Sequence, residues 1–181
     1  MSKKREQTSK FLSLVLRHKP EDIGLTLDPQ GWADIGQLID LAAAQGTLLT
    51  RELIVDIVAT SDKKRFALDP QGEKIRASQG HSVAVDLKLA PLEPPARLFH
   101  GTATRFTDSI RADGLLAGSR QHVHLSFAEE TALSVGSRHG KPVLLVVRSS
   151  EMYRDGYEFF LSDNGVWLTS AVPAEYLDFP A

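Results

Sequence analysis

The hydrophobic positions in the first half of the chain recur at helical spacing in three places. Each stretch begins at a residue whose side chain can cap a helix, and these residues are Ser9, Asp34 and Thr50. Two short strand-like runs, 65–68 and 74–77, follow the third stretch and are separated by a turn. Three helices followed by a β-hairpin predict a winged-helix unit, which is a variant of the helix-turn-helix motif.

The second half of the chain shows mostly the patterns of β-strands. His122–Ser126 alternate between polar and apolar residues, which predicts a half-buried strand whose polar side chains share one face. Val143–Val147 is apolar on both faces, as is typical of a central strand. Asn164-Gly165 lies between two strand-like runs and predicts a hairpin. Two short helices, one ended by Gly114 and one over 128–135, complete a small α+β unit with a sheet core.

Three prolines cluster in the segment 86–96, between these two patterns. Proline removes an amide donor and stiffens the chain, so the segment predicts a semi-rigid connector. We therefore expect an α+β protein in which residues 1–85 form the winged-helix lobe. The proline-rich connector then spans 86–96, and a second, mixed α/β lobe spans 97–181.

Composition narrows the class of protein. The 181 residues are 42% hydrophobic, which is enough for a core, and they include no cysteine, which excludes disulfides and thiolate metal sites. No apolar run approaches the roughly 20 residues of a membrane span, and residues 1–10 are too polar for a signal peptide. We therefore expect a cytoplasmic protein that does not enter membranes, and nothing indicates an obligate protein partner.

The formal net charge of −2 gives no overall electrostatic reason to expect nucleic-acid binding. The N-terminal region differs, because several basic residues there stand against Glu6 alone: Lys3, Lys4, Arg5, Lys10, Arg17 and Lys19. A basic patch of this kind can bind a phosphate backbone, and it is also typical of a solvated helix face.

Three arginines and one histidine form the strongest candidate chemistry. Arg17-His18 ends the first apolar helix, Arg65 opens a strand, and Arg120 precedes the alternating strand. Three guanidinium groups around one imidazole suit a phosphate that is transferred and not merely bound. The same residues are also compatible with three surface arginines and a histidine favoured by the dipole at a helix C-terminus.

Two further patterns contain histidine. His100-Gly101-Thr102 follows an apolar strand, so the glycine would let a ligand approach the backbone, and the flanking side chains can bond ribose hydroxyls or an amide. His122 and His124 have the spacing of a zinc-binding pair, but no third and fourth ligands accompany them, so we expect no metal.

Several short motifs occur in one order along the chain: Leu16-Arg17-His18, Gly31-Trp32, Lys63-Lys64-Arg65-Phe66, Ile75-Arg76-Ala77, Gln79-Gly80-His81-Ser82, His100-Gly101-Thr102 and Arg120-Gln121-His122-Val123-His124-Leu125-Ser126. In this combination, over about 9–176, the chain resembles the RNA 2′-phosphotransferase family, whose best-known members remove the splice-junction 2′-phosphate from tRNA with NAD⁺. One departure is Ser78, where the family pattern has asparagine, and it affects only local hydrogen bonding in the loop.

The resemblance implies an N-terminal winged-helix lobe that binds RNA and a C-terminal lobe with the NAD-binding ADP-ribosyltransferase fold. It implies a catalytic tetrad that requires both lobes, made of Arg17, His18, Arg65 and Arg120. It also implies an NAD⁺ pocket lined by His100, Gly101, Thr102 and Ser126. The expected substrates are RNA with an internal 2′-phosphate and NAD as co-substrate.

The implied reaction has two steps. The RNA 2′-phosphate first attacks the anomeric carbon of the nicotinamide riboside and expels nicotinamide, and the ribose 2″-hydroxyl then attacks phosphorus. RNA with a free 2′-hydroxyl and ADP-ribose 1″,2″-cyclic phosphate result. A phosphate monoester has a second pKa near ~6, so the first step needs no strong base, and the hairpin 160–166 indeed lacks a Glu-x-Glu pattern. The second step needs charge stabilisation from arginine and proton transfer, for which His18 is suited.

Two alternatives remain. An ADP-ribosyltransferase that caps terminal phosphates of nucleic acids would stop after the first step, although a complete tetrad argues against stopping. A winged-helix transcription regulator with a ligand-sensing second lobe would need a basic recognition helix. The third helix instead offers Arg51 against Glu52 and Asp56, which argues against DNA binding.

Overall fold

The computed structural model describes residues 2–181 and divides into two compact units, Met1–Lys88 and Leu89–Ala181. Both units mix helices with small antiparallel sheets, so the chain is a mixed α/β protein. The division falls within the segment 86–96, and the role of that segment as a connector stays a prediction. Within the described residues, no helix combines the length and apolar character needed to span a membrane.

Among its described residues, 2–88, the first unit contains three α-helices and three short strands. They are α1 (Lys3–Arg17), β1 (Ala33–Asp34), α2 (Ile35–Ala44), α3 (Arg51–Thr60), β2 (Phe66–Leu68) and β3 (Lys74–Ala77), with a 3₁₀ helix at Pro20–Ile23. The strands form an antiparallel sheet in the order β1-β3-β2. The sequence predicted the β2–β3 hairpin but not β1, which pairs Ala33 with Ile75 across a long stretch of chain.

Local side-chain chemistry explains where the helices begin. The Asp34 carboxylate accepts a hydrogen bond from the Gln37 amide at 2.8 Å, and the Thr50 hydroxyl accepts one from the Leu53 amide at 3.1 Å, so both predicted caps are confirmed. The predicted cap at Ser9 is wrong, because α1 begins at Lys3 with Ser2 as its cap.

The early start of α1 has a physical reason. Its first turns consist largely of Lys, Arg, Glu and Gln, which favour helix without contributing apolar residues. Lys10 also pairs with Glu6 one turn away at 2.7 Å, and Arg5 pairs with Asp56 of α3. Two of the basic N-terminal residues are therefore engaged in ion pairs within the unit. The apolar face of α1 packs into the core of the unit, whose fully buried large side chains are Leu12, Leu16, Ile35, Leu38, Ile54 and Ile75.

The second unit contains three helices and eight strands. They are β4 (Leu98–Ala103), α4 (Thr107–Asp113), β5 (Leu115–Leu116), β6 (Val123–Leu125), α5 (Glu129–Gly136), β7 (Pro142–Val147), α6 (Ser149–Arg154), β8 (Phe160–Leu161), β9 (Trp167–Thr169), β10 (Ala171–Val172) and β11 (Leu177–Asp178). Short 3₁₀ helices lie at Thr104–Phe106, Ser137–His139 and Ala174–Tyr176.

Three small antiparallel sheets organise this unit. One sheet has the order β11-β7-β4, so the prediction that the apolar run becomes a central strand is confirmed. A second sheet has the order β6-β9-β8, in which β8 and β9 form the hairpin predicted at Asn164-Gly165. Gly165 has φ +81°, a left-handed conformation that favours glycine. The third sheet consists of β10 and β5.

Helix α5 packs against β4 at an unusually short distance, made possible by two glycines. A Cβ built on Gly101 would lie 1.5 Å from the Ala132 carbonyl oxygen, and one built on Gly136 would lie 2.6 Å from the Thr102 carbonyl oxygen. Neither position can hold a side chain unless the backbone of the other element moves. This contact fixes the middle of β4, where the His-Gly-Thr motif lies.

Candidate active site

A single loop of the first unit holds the backbones of two predicted catalytic residues. The Ser78 amide donates to the Arg65 carbonyl at 2.9 Å, and the Ser82 amide donates to the Arg17 carbonyl at 2.9 Å. Five residues span at most about 17 Å when fully extended, so the end of α1 and the start of β2 are kept close. The Ser78 hydroxyl adds a bond to the Lys64 carbonyl at 3.0 Å, so this serine contributes its own local hydrogen bonding to the loop.

The same loop orients the predicted catalytic histidine. Nδ1 of His18 lies 2.9 Å from the Ser82 hydroxyl oxygen, and that hydroxyl donates to the Arg17 carbonyl at 3.4 Å. Because the hydroxyl hydrogen is used there, the oxygen accepts from the Nδ1–H of His18. This tautomer, which is assigned from the bonding pattern, fixes the direction of the imidazole ring.

A buried histidine, His81, lies in the same loop, close to Arg17, Arg76 and His18. His81 is only 2% exposed, and burial, followed by the charges of Arg17, Arg76 and His18, lowers its pKa to about 4. It is therefore neutral near pH 7, which suits a residue that fixes the loop and does not titrate during the reaction.

Trp32 has a packing role in this unit. Its side chain is only partly exposed, and the Arg76 guanidinium lies 4.6 Å from the centre of its ring. This is the geometry of a cation–π contact. It supports the interpretation of Trp32 as a packing residue and not a platform for RNA bases.

In the second unit, two of the predicted site residues, Arg120 and His100, are connected through His124. Arg120 donates from a terminal guanidinium nitrogen to Nδ1 of His124 at 3.0 Å, while the His124 carbonyl lies 3.1 Å from Nδ1 of His100. Burial lowers the pKa of His100, the bond to the carbonyl opposes that shift, and the charge of His139 adds to it. His100 therefore donates its Nδ1–H as a neutral imidazole.

Ser126 is fixed at the edge of β4. Its amide and carbonyl both pair with Phe99, at 2.8 and 2.9 Å, which places Ser126 beside the strand that carries His100 and Thr102. Gly101 lies between these two residues, and helix α5 occupies the side on which its Cβ would project. Helix packing thus explains the glycine, whereas its part in ligand binding stays a prediction.

A cleft of about 290 Å³ opens beside Thr102 on the second unit. Its remaining walls come from the 3₁₀ turn, from α4 with the residue that ends it, and from β5, and they are Phe106, Ser109, Ile110, Asp113, Gly114 and Leu116. The lining combines one aromatic ring and two aliphatic side chains with one carboxylate, and the Arg105 guanidinium lies 4.7 Å from the centre of the Phe106 ring. Sequence reasoning missed this cleft because its residues are unremarkable singly and only the turn into α4 brings them together.

The histidine pair considered for zinc is arranged differently. The His122 ring packs against Phe160, with 5.7 Å between ring centres, while His124 binds Arg120. Within residues 2–181, no three side chains of the types that bind metals lie close enough together to hold an ion.

Comparison with known proteins gives this geometry its context. Residues 3–171 match the family described as "RNA 2'-phosphotransferase, Tpt1 / KptA family". A "Probable RNA 2'-phosphotransferase" of Agrobacterium fabrum is 59% identical over 174 residues, which cover 96% of this chain and 94% of the relative. Proteins with the same name from Pectobacterium carotovorum and Pseudomonas aeruginosa are 57% and 56% identical, over 97% and 95% of this chain and 95% of each relative. A match of this extent shows that the chain belongs to the RNA 2′-phosphotransferase family.

Proposed function

We propose that this protein is an NAD-dependent RNA 2′-phosphotransferase, which removes an internal 2′-phosphate from RNA. The products are RNA with a 2′-hydroxyl, ADP-ribose 1″,2″-cyclic phosphate and nicotinamide, formed through an RNA-2′-phospho-ADP-ribose intermediate. The observation that carries the proposal is the loop 78–82, which in a chain of this family holds Arg17, His18 and Arg65 together. Arg120 of the second unit is the fourth residue proposed to act on the phosphate.

NAD use is supported by the donors and the cleft on the second unit. His100, Thr102 and Ser126 lie on or beside β4, and the cleft at Thr102 has the volume for one nucleoside of a dinucleotide. NAD would supply the ribosyl carbon that accepts the phosphate oxygen. The residues of the chain then have to bind the two nucleotide halves and exclude water, because the dianionic phosphate is itself a sufficient nucleophile.

The second step requires proton transfer and charge stabilisation by the protein. The ribose 2″-hydroxyl must lose a proton as it attacks phosphorus, and the departing RNA 2′-oxygen must gain one. His18 is the residue that we propose for the first transfer, and the Ser82 hydroxyl orients its ring through Nδ1. The guanidinium groups of Arg17, Arg65 and Arg120 stabilise the charge on the pentacoordinate phosphorus, and each can bind two of its oxygens.

The proposal includes the fold of each unit, a winged-helix lobe followed by an ADP-ribosyltransferase-like lobe. Three helices and the β2–β3 hairpin in the first unit support the interpretation of a winged-helix lobe that binds RNA. The antiparallel sheets around the His-Gly-Thr strand support that of an ADP-ribosyltransferase-like lobe. Because Arg5 and Lys10 are paired, we expect RNA to be recognised through the reacting phosphate and its neighbours, with affinity that falls steeply with salt.

Single-turnover assays test the proposal. Purified protein is mixed with NAD⁺ and an oligoribonucleotide carrying one internal 2′-phosphate, and nicotinamide, dephosphorylated RNA and cyclic phosphate are quantified over time. We expect all three in equal amounts, and we expect His18→Ala to accumulate the RNA-phospho-ADP-ribose intermediate. Arg97→Ala, which changes an exposed arginine, is the control and should behave as wild type. Absence of nicotinamide release by wild type would contradict the proposal, whereas ADP-ribosylated RNA as the final product would favour the terminal-capping alternative.

A further inference from the structure

His124 contacts both Arg120 and His100, whereas the sequence pattern predicted for it only a place on the polar face of its strand. We propose that His124 is a positioning residue, whose Nδ1 accepts a hydrogen bond from Arg120 and aims that guanidinium at the migrating phosphate. The inference rests on the proposed function and adds a residue to it.

The bond defines the protonation of His124. A guanidinium only donates hydrogen bonds, so the Nδ1 atom that faces it at 3.0 Å must be an acceptor. The proton of the neutral imidazole is then on Nε2. The contact uses one of the five N–H donors of Arg120, so the planar fork of the guanidinium keeps donors for two phosphate oxygens.

A neutral acceptor suits Arg120 better than a carboxylate would. Within residues 2–181, no Asp or Glu lies at salt-bridge distance from Arg120. A carboxylate partner would hold the guanidinium equally well, but it would cancel the positive charge that the phosphate needs. An imidazole fixes the direction of the side chain and leaves that charge intact.

Arg120 needs such support because of where it lies. It is exposed and belongs to the irregular segment between β5 and β6, and its amide is held by a single bond to the Ala117 carbonyl at 3.2 Å. A long arginine side chain loses considerable rotamer freedom when it binds a ligand from such a position. A partner that restricts it beforehand lowers this loss.

His124 is by contrast rigid. It is the middle residue of β6, pairs with Leu168 of β9, and receives the bond from His100 on its carbonyl. Its neighbours Val123 and Leu125 point into the core, so its own half-buried side chain lies on the opposite face. A substitution at His124 therefore removes the contact with Arg120 without emptying the core.

Two amide substitutions distinguish positioning from mere packing. The His124→Asn side chain places its oxygen close to the position of Nδ1, whereas His124→Gln places its amide near Nε2, one bond further out. The rate of decay of the isolated RNA-phospho-ADP-ribose intermediate is measured for both variants, for His124→Leu and for the control His122→Leu. We expect His124→Asn and His122→Leu within about threefold of wild type, and His124→Gln and His124→Leu slower by about tenfold, which corresponds to one lost charge-assisted bond.

A double-mutant cycle and one spectroscopic measurement complete the test. If His124 acts through Arg120, His124→Leu should cause no further loss in an Arg120→Ala background. In the protein without substrates, the ¹⁵N resonance of His124 Nδ1 should be that of a hydrogen-bonded acceptor and should shift in Arg120→Ala. Additive losses, an Asn variant as slow as Leu, or an Nδ1 resonance unchanged by Arg120→Ala would each overturn the positioning role. The resonance needs no turnover, so it separates failure of this inference from failure of the proposed function.

Discussion

The two units hold their candidate catalytic residues in different ways. In the first unit the loop 78–82 binds the backbones of Arg17 and Arg65, so their Cα positions are fixed whatever their side chains do. In the second unit a side chain, that of His124, holds Arg120 on an otherwise loosely attached segment. Backbone anchoring therefore tolerates a change of side chain at the site, whereas side-chain anchoring makes the site depend on a second residue.

The electrostatic settings also differ. His81 in the first unit lies among cations, and its lowered pKa reflects that surrounding as well as burial. His100 in the second unit owes its lowered pKa chiefly to burial, and its hydrogen bond to a carbonyl opposes the shift. The first unit is thus arranged to concentrate positive charge, and the second to hold neutral groups beside a cleft.

The largest expected effect concerns the backbone contact of the second unit. Gly101→Ala should lower the free energy of unfolding by about 3 kcal/mol, because the new Cβ meets the Ala132 carbonyl oxygen and forces α5 away from β4. Urea unfolding measures this. Gly136→Ala should have a similar effect from the other side of the contact. Gly24→Ala in the first unit, where nothing lies within 4 Å, should cost only about 1 kcal/mol through its positive φ. Equal losses at Gly101 and Gly24 would contradict the packing explanation.

The next effect tests the backbone-anchored arginine. Arg65→Lys should slow decay of the isolated intermediate about ten- to a hundred-fold, because lysine replaces a fork that binds two phosphate oxygens with a point charge, at a cost of ~1.5–3 kcal/mol. The Ser78 bond to the Arg65 carbonyl does not involve the side chain, so Tm should be unchanged. A lysine variant as fast as wild type, with Arg65→Ala inactive, would show that charge alone suffices.

The next prediction is that buried His81 of the first unit makes the stability of the protein depend on pH. The folded-state pKa of His81 is about 4 against 6.5 when unfolded, so the unfolded state binds more protons between these values and stability falls as pH drops through that window. The loss from this group between pH 7 and pH 5 should be about 2 kcal/mol. Urea unfolding of wild type and His81→Gln at both pH values measures it. The free energy of unfolding should depend less steeply on pH in the variant. It should still depend on pH, because burial also lowers the pKa of His100 and of His122. An unchanged slope would exclude a buried neutral His81.

The smallest effect concerns the orientation of His18. Ser82→Ala removes the hydroxyl that engages Nδ1, at a net cost of about 1 kcal/mol, so decay of the intermediate should slow about fivefold. The loop should stay in place, because the Ser82 amide still donates to the Arg17 carbonyl. Ser82→Thr restores the hydroxyl and should recover most of the rate. If the alanine and threonine variants were equally slow, the hydroxyl would not be the group that matters.

Interactions within a few residues were predictable. The caps at Asp34 and Thr50 reach amides three residues on, and the turn at Asn164-Gly165 follows from the left-handed backbone of its glycine. The same local reasoning was wrong at Ser9, because it required apolar residues to mark a helix that polar helix-formers had already begun at Lys3.

The sequence by itself determined most of the longer helices, the two hairpins, the central place of β7 and the residues that carry the family resemblance, because each depends on local conformational preference or on a motif of fixed spacing. Only the tertiary structure decided how those residues are held. Ser82 meets His18 across 64 positions, and Gly101 makes room for a helix that comes thirty residues later along the chain. His124 turns its ring to Arg120 only because strand pairing fixes its face. Such contacts depend on which distant segments pack together, and the local pattern around any one residue does not show which segments these are.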